Sequence, residues 1–114
     1  MLKITHKIED SICLLRIEGQ LISDSVEELR KYTDNLLEDK SFHSLLVNFD
    51  ETEWVDSHGI GVFLEIFRKF QQEKRDLALC HLNDSLSELF AMTFIDTFIS
   101  IYSTPQEALE KLKK

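Results

Sequence analysis

Proline and glycine are scarce in this 114-residue chain: one Pro and three Gly leave no material for a flexible linker or a low-complexity tract. No internal repeat is visible either. Cysteine is also rare. Cys13 and Cys80 allow one disulfide at most, and both sit inside apolar runs, so buried free thiols in a reducing compartment are expected. Basic charge is in deficit, with 13 Lys and Arg against 21 Asp and Glu, a net charge of −8 and a pI near 4.9. Binding a nucleic acid or an anionic membrane surface takes clustered cations, so neither is expected as a partner. Apolar runs fall well short of the roughly 18 residues of a membrane span. Residues 1–10 carry charges where a signal peptide needs its apolar stretch. The four His and two Cys show neither C-x-x-C nor H-x-x-x-H spacing, so no metal site is expected. The eight Phe fall mostly on core stripes, so no cofactor is expected either. These deficits describe a single cytoplasmic domain over residues 1–114, long enough to bury a core without staples.

What is present is alternation. Ile4 to Ile8 and Ile12 to Ile17 are apolar-rich runs broken by Glu9-Asp10-Ser11, the pattern of a hairpin. Ser25 with Glu28 forms a capping-box pattern ahead of Val26, Leu29, Leu36 and Leu37 at helical spacing, which predicts a helix over about 25–38. Leu45 to Phe49 reads as a strand covered on both faces. A second helix follows over about 58–73, with Ile60, Phe63, Leu64, Phe67 and Phe70 as its core stripe. Leu77 to Leu82 is the next strand, and Asp84 or Ser85 caps a short helix carrying Leu86, Leu89 and Phe90. Phe98 to Tyr102 is a last strand, and Thr104-Pro105-Gln106-Glu107 starts a last helix packed through Ala108, Leu109 and Leu112. The order ββαβαβαβα specifies a single α/β domain: a mixed, mostly parallel sheet with an N-terminal hairpin and about four helices.

In open α/β folds, function gathers where strands lead into helix N-termini. Phe49 to Gly61 is such a place, and Gly59 and Gly61 stand in the first turn of a helix, where each costs about 0.5–1 kcal/mol relative to Ala. Close packing of helix on strand accounts for them, and so does the approach of a foreign backbone or a phosphate at Ser57. Ser57 itself suits either a plain N-cap or a phosphorylation site, because helix N-termini favour anions. Val62 and Ile66 lie at the edge of the stripe beside Glu65, Arg68 and Lys69, which fits either edge packing or an apolar border for a partner.

Leu45-Leu46-Val47-Asn48-Phe49-Asp50, followed by Trp54-Val55-Asp56-Ser57-His58-Gly59-Ile60-Gly61, resembles the signature of STAS domains. It is similar in particular to anti-sigma factor antagonists, with their apolar strand and then Asp-Ser-Ser-Gly-Leu-Gly. Gly19-Gln20-Leu21, Leu79-Cys80-His81-Leu82, Leu86 to Phe90 and Thr104 to Leu109 extend the resemblance over nearly the whole chain. It implies a phosphorylation-switched binding module and no catalysis. A partner ATP-binding anti-sigma serine kinase modifies the serine after Asp, here Ser57. The unphosphorylated form binds that kinase and frees a sigma factor, and a PP2C-type phosphatase resets the switch. The partner surface expected on this basis comprises Asp56, Ser57, His58, Gly59, Val62 and Ile66 with Ser23 and Asp24 of the preceding loop. Three departures bear on it. His58 replaces the second motif serine, Ile22 replaces an acidic residue common after Gly-x-Leu, and the glycine expected before Leu77 is absent from Glu73-Lys74-Arg75-Asp76.

Other readings fit less well. A serine hydrolase elbow needs glycine two positions before the nucleophile, and Val55 stands there. A phosphoaspartate receiver would take Asp50 as acceptor, but Phe98 to Tyr102 supplies no lysine near the end of the last strand. Within the STAS family, a subunit of a lipid-transport or stress-signalling complex is the main alternative, distinguished by its partner.

Overall fold

The computed structural model describes residues 2–113. β1 (Leu2–Glu9) and β2 (Ile12–Leu21) form the expected antiparallel hairpin, each longer than its apolar run. Asp10 and Ser11 close it at φ 54° and 65°. Two consecutive positive-φ residues give the right-handed twist that a two-residue loop needs between strands. The chain continues through α1 (Val26–Leu37), β3 (Ser44–Asn48), β4 (Thr52–Val55), α2 (Ser57–Gln72) and β5 (Asp76–Cys80). It ends with α3 (Asp84–Met92), a 3-10 turn (Ile95–Thr97), β6 (Ser100–Tyr102) and α4 (Pro105–Leu112). The sheet order is β1-β2-β3-β5-β6, parallel except for the hairpin. A receiver is instead a doubly wound parallel sheet, so the hairpin-led order rules that architecture out.

β2 is long because it serves three neighbours. Ile12–Arg16 pair with β3, whereas Gly19–Leu21 pair with β4, and the register shifts between Gly19 and Gln20. Gly19 takes φ 109°, a conformation that side chains resist, and its N–H donates to the Glu51 carbonyl at 3.0 Å. Strand β4 was not expected from sequence, yet it delivers the chain to Ser57.

The main core lies between the sheet and α1, α2 and α3, and a smaller one lies under α4 on the opposite face. β3 feeds both, with Leu45 and Val47 on one side and Leu46 on the other, as its continuous apolar run requires. Phe49, Phe63 and Phe90 meet edge to face at the centre, with ring centroids 5.3–6.2 Å apart. Cys13 and Cys80 are buried free thiols, and burial pushes each up to about 12.

Helix ends depart from the sequence pattern in instructive ways. The Ser25–Glu28 capping box does not form. Instead the Ser25 hydroxyl accepts from the Ile22 N–H at 3.1 Å and donates to the Gln20 carbonyl at 2.9 Å, bracing the loop after β2. Asn83, one residue earlier than expected, caps α3 by accepting from the Leu86 N–H at 2.8 Å. The α4 start is as written in the sequence: Thr104 accepts from the Glu107 N–H at 3.1 Å, and the Glu107 carboxylate accepts from the Ser103 N–H at 2.9 Å. No helix among the described residues is long and apolar enough to cross a membrane.

Candidate partner-binding and phosphorylation site

The site is built at the exit of β4. The Asp56 N–H donates to the Leu21 carbonyl at 3.1 Å, so the end of β2 holds the start of α2. The Asp56 carboxylate then works in two directions. Oδ1 accepts from the Gly59 N–H at 3.1 Å and caps the helix, while Oδ2 accepts from the Ser23 N–H at 3.1 Å and ties down the loop after β2. Partial burial raises the carboxyl's pKa, but the Gly59 and Ser23 amides and the nearby His58 outweigh it and hold it below the usual carboxylate range. His58 Nδ1 stands 3.7 Å from Asp56 Oδ2.

Asp56, not Ser57, is therefore the cap. Ser57 is the first helical residue and is exposed, so its hydroxyl is released from capping and offered to solvent. A group attached to it would sit in the field of the helix N-terminus, which favours negative charge. Ser23, Asp24 and His58 are exposed as well, and the Ser23–Asp56 contact brings the two segments to one end of the sheet.

Three expected contact residues are not at the surface. A Cβ on Gly59 would lie 2.6 Å from Val55 Cγ1 and 2.9 Å from the Leu21 carbonyl oxygen, so this glycine is buried by close packing of helix on strand. That approach fixes the rotation of α2. Gly59, Val62, Phe63, Ile66 and Phe70 recur at helical spacing toward the sheet, and Val62 and Ile66 are only 2% and 3% exposed. The apolar border assigned to Val62 and Ile66 is core, and Leu64 and Phe67, assigned to the core, are half-buried. Gly61 differs from Gly59: it is exposed, and nothing lies within 4 Å of a Cβ built there.

One surface residue has no role in the sequence reading. Trp54 on β4 is 42% exposed, three positions before Ser57. Its only signal was an aromatic inside the motif, and its exposure follows from β4, whose existence was not apparent. Among the described residues, no group of three or more His, Cys, Asp or Glu is placed to hold a metal ion.

A hairpin-led mixed sheet carrying three helices on one face and one on the other, with a serine at the mouth of the second helix, defines the class of fold. The chain belongs to the STAS domain family, which matches residues 3–108. An anti-sigma F factor antagonist of Paenibacillus polymyxa is 21% identical over 112 residues, covering 98% of this chain and 96% of that protein. The crystal structure of an anti-sigma factor antagonist from Mycobacterium paratuberculosis is similar with a TM-score of 0.91 at 14% identity, over 100% of this chain and 96% of the other. The Bacillus cell fate determinant SpoIIAA, in its phosphorylated form, is similar with a TM-score of 0.72 at 17% identity, over 98% and 99% of the two chains.

Proposed function

We propose that this protein is an anti-sigma factor antagonist switched at Ser57. The unphosphorylated form binds an anti-sigma serine kinase and so releases a sigma factor. The kinase uses ATP to phosphorylate Ser57, and a PP2C-type serine phosphatase removes the phosphate. The protein itself is substrate and binding partner. The observation that carries this reading is the exposed Ser57 hydroxyl one residue past the Asp56 cap, at a helix start braced by the Ser23 loop.

Phosphorylation adds about −1.5 to −2 charges and three acceptor oxygens. At a helix N-terminus an exposed anion gains roughly 0.3–1 kcal/mol, so the fold tolerates the group. The charge acts on the partner instead. Closing an interface over a phosphate strips its water, and Asp56 alongside adds like-charge repulsion, so a kinase surface without a waiting cation lets go. Asp56, His58, Ser23 and Asp24 surround the serine and form the proposed contact surface.

Incubation with candidate serine kinases and ATP, followed by mass mapping, tests the site. One phosphate on Ser57, and none on Ser57→Ala, is the expected result. A phosphate on another residue would overturn it. Copurification tests the partner: an ATP-binding serine kinase agrees with the proposal, and a transporter ATPase would replace it with the lipid-transport reading.

A further inference from the structure

Among the described residues, three of the four large exposed apolar side chains lie within seven positions: Met92, Phe94 and Phe98 are 75%, 68% and 61% exposed. They sit around the turn after α3, at the opposite end of the sheet from Ser57. Phe94 is held outward by a left-handed backbone, φ 60° and ψ 18°, a conformation that bulky residues rarely adopt and that needs a reason. Beside it, between α2 and the turn, is a cavity of about 320 Å³ lined by Leu64, Phe67, Arg68, Gln71 and Phe98. One surface thus carries both an aromatic knob and an apolar hole.

Its charges are also matched and unused. The ion pairs of α2 run through Glu65 and Lys69 to Arg30 and Asp34 and leave Arg68 out. Asp96, exposed on the 3-10 turn, pairs with no described cation. A cation on the rim of the hole and an anion beside the knob are what a twofold contact requires, since residue i then meets residue j and j meets i.

The geometry points to a second copy of this chain as the occupant. Phe94 of each copy enters the α2 cavity of the other, and Arg68 of each faces Asp96 of the other. At 150–250 Å² for a large side chain, and with each only 61–75% exposed, the three residues offer roughly 400 Å² per copy. That is about half of the ~800 Å² per partner in a stable complex, so the dimer is reversible. Arg68 stands eleven residues beyond Ser57, about 16 Å along the axis of α2, so the contact leaves the switch serine free and does not depend on the function proposed for it.

Sedimentation equilibrium of the purified, unphosphorylated chain tests the inference, from about 10 µM to about 1 mM, the range of weak association. The average mass should rise from monomer toward dimer with concentration. Arg68→Asp and Asp96→Arg should each weaken association at least about tenfold, and the double variant should restore it to within about threefold. Phe94→Gly relieves the backbone and removes the knob, so it should abolish the dimer without lowering the unfolding free energy. A mass that stays monomeric throughout, or a dimer indifferent to Phe94→Gly, would overturn the inference. So would single charge reversals that the double variant fails to rescue.

Discussion

The two ends of α2 solve opposite problems. At the start, a single carboxylate does the structural work and leaves the neighbouring hydroxyl exposed. At the far end almost everything is consumed internally. The Arg75 N–H donates to the Phe70 carbonyl at 2.8 Å and the Lys74 N–H to the Gln71 carbonyl at 2.9 Å, closing the helix with Lys74 at φ 61°. The Arg75 side chain, only 6% exposed, lies over Phe42 and Phe70 with its guanidinium carbon 4.8 and 5.9 Å from the ring centroids. Its Nη2 donates to the Leu37 carbonyl at 2.9 Å, which satisfies the open end of α1. One end presents an exposed hydroxyl; the other anchors two helices. Substitutions at the two ends should therefore separate binding from stability.

The largest effect is expected at the anchoring end. Arg75→Ala removes two cation–π contacts, the ion pair to Glu73 and the buried one of the two donors to the Leu37 carbonyl, leaving only the exposed Lys40 ammonium there, and should cost about 2–4 kcal/mol in urea unfolding. Ser57 phosphorylation, measured below the melting temperature, should be unchanged.

At the presenting end, Asp56→Ala removes the cap and frees the Ser23 loop. A loss of about 0.5–2 kcal/mol is expected, accompanied by slower phosphorylation because the serine is no longer held. Asp56→Asn keeps the cap and separates charge from geometry. The carboxyl's pKa is depressed in the fold, so its stabilisation is present above the unfolded value and is lost as pH falls through the folded one. Below about pH 4, unfolding curves of the wild type should weaken with acid more steeply than those of Asp56→Asn.

The smallest effects come from glycine, with opposite logic at the two ends. Lys74→Gly should stabilise by about 1 kcal/mol, since only the backbone strain is removed, and leave kinase binding alone. Gly61→Ala should stabilise by about 0.5–1 kcal/mol because its Cβ enters open space. It should also weaken kinase binding by covering the bare turn beside Ser57.

These contrasts also mark what was legible in the sequence. The hairpin, the doubly covered β3 and the α4 start were all readable, because strand alternation, continuous apolar runs and the Thr-Pro-x-Glu pattern act locally. The α2 stripe was legible in part: Ile60, Phe63 and Phe70 are core as expected, but Val62 and Ile66 take the inward places assigned to Leu64 and Phe67. Helical periodicity gives Val62 and Leu64 similar standing, and only the approach of Gly59 to Val55 and Leu21 decides which faces inward. β4 escaped because four residues, Thr52–Val55, carry too little periodicity, and its pairing with β2 is a long-range event. Ser25 and Lys74 show the same limit. Their local signals named a cap and a missing glycine, whereas the Ser25 hydroxyl turns back to Ile22 and Gln20 as a loop brace, and the helix-closing bonds from Lys74 to Gln71 and from Arg75 to Phe70 accept a lysine at positive φ. At the candidate site the motif pointed to Ser57, but Asp56 and Ser57 are both good caps and only the bond from the Gly59 N–H chooses Asp56, while the exposure of Trp54 depends on that unseen strand.

The central claim is that charge at Ser57 governs partner binding without disturbing the fold. Calorimetric titration of the anti-sigma kinase with the unphosphorylated and Ser57-phosphorylated proteins tests it most directly. Circular dichroism alongside should show matching folds. The phosphorylated form should bind at least about tenfold more weakly, a difference of about 1.4 kcal/mol, and Ser57→Ala should bind like the unphosphorylated protein. Equal affinity of the two forms would contradict the account.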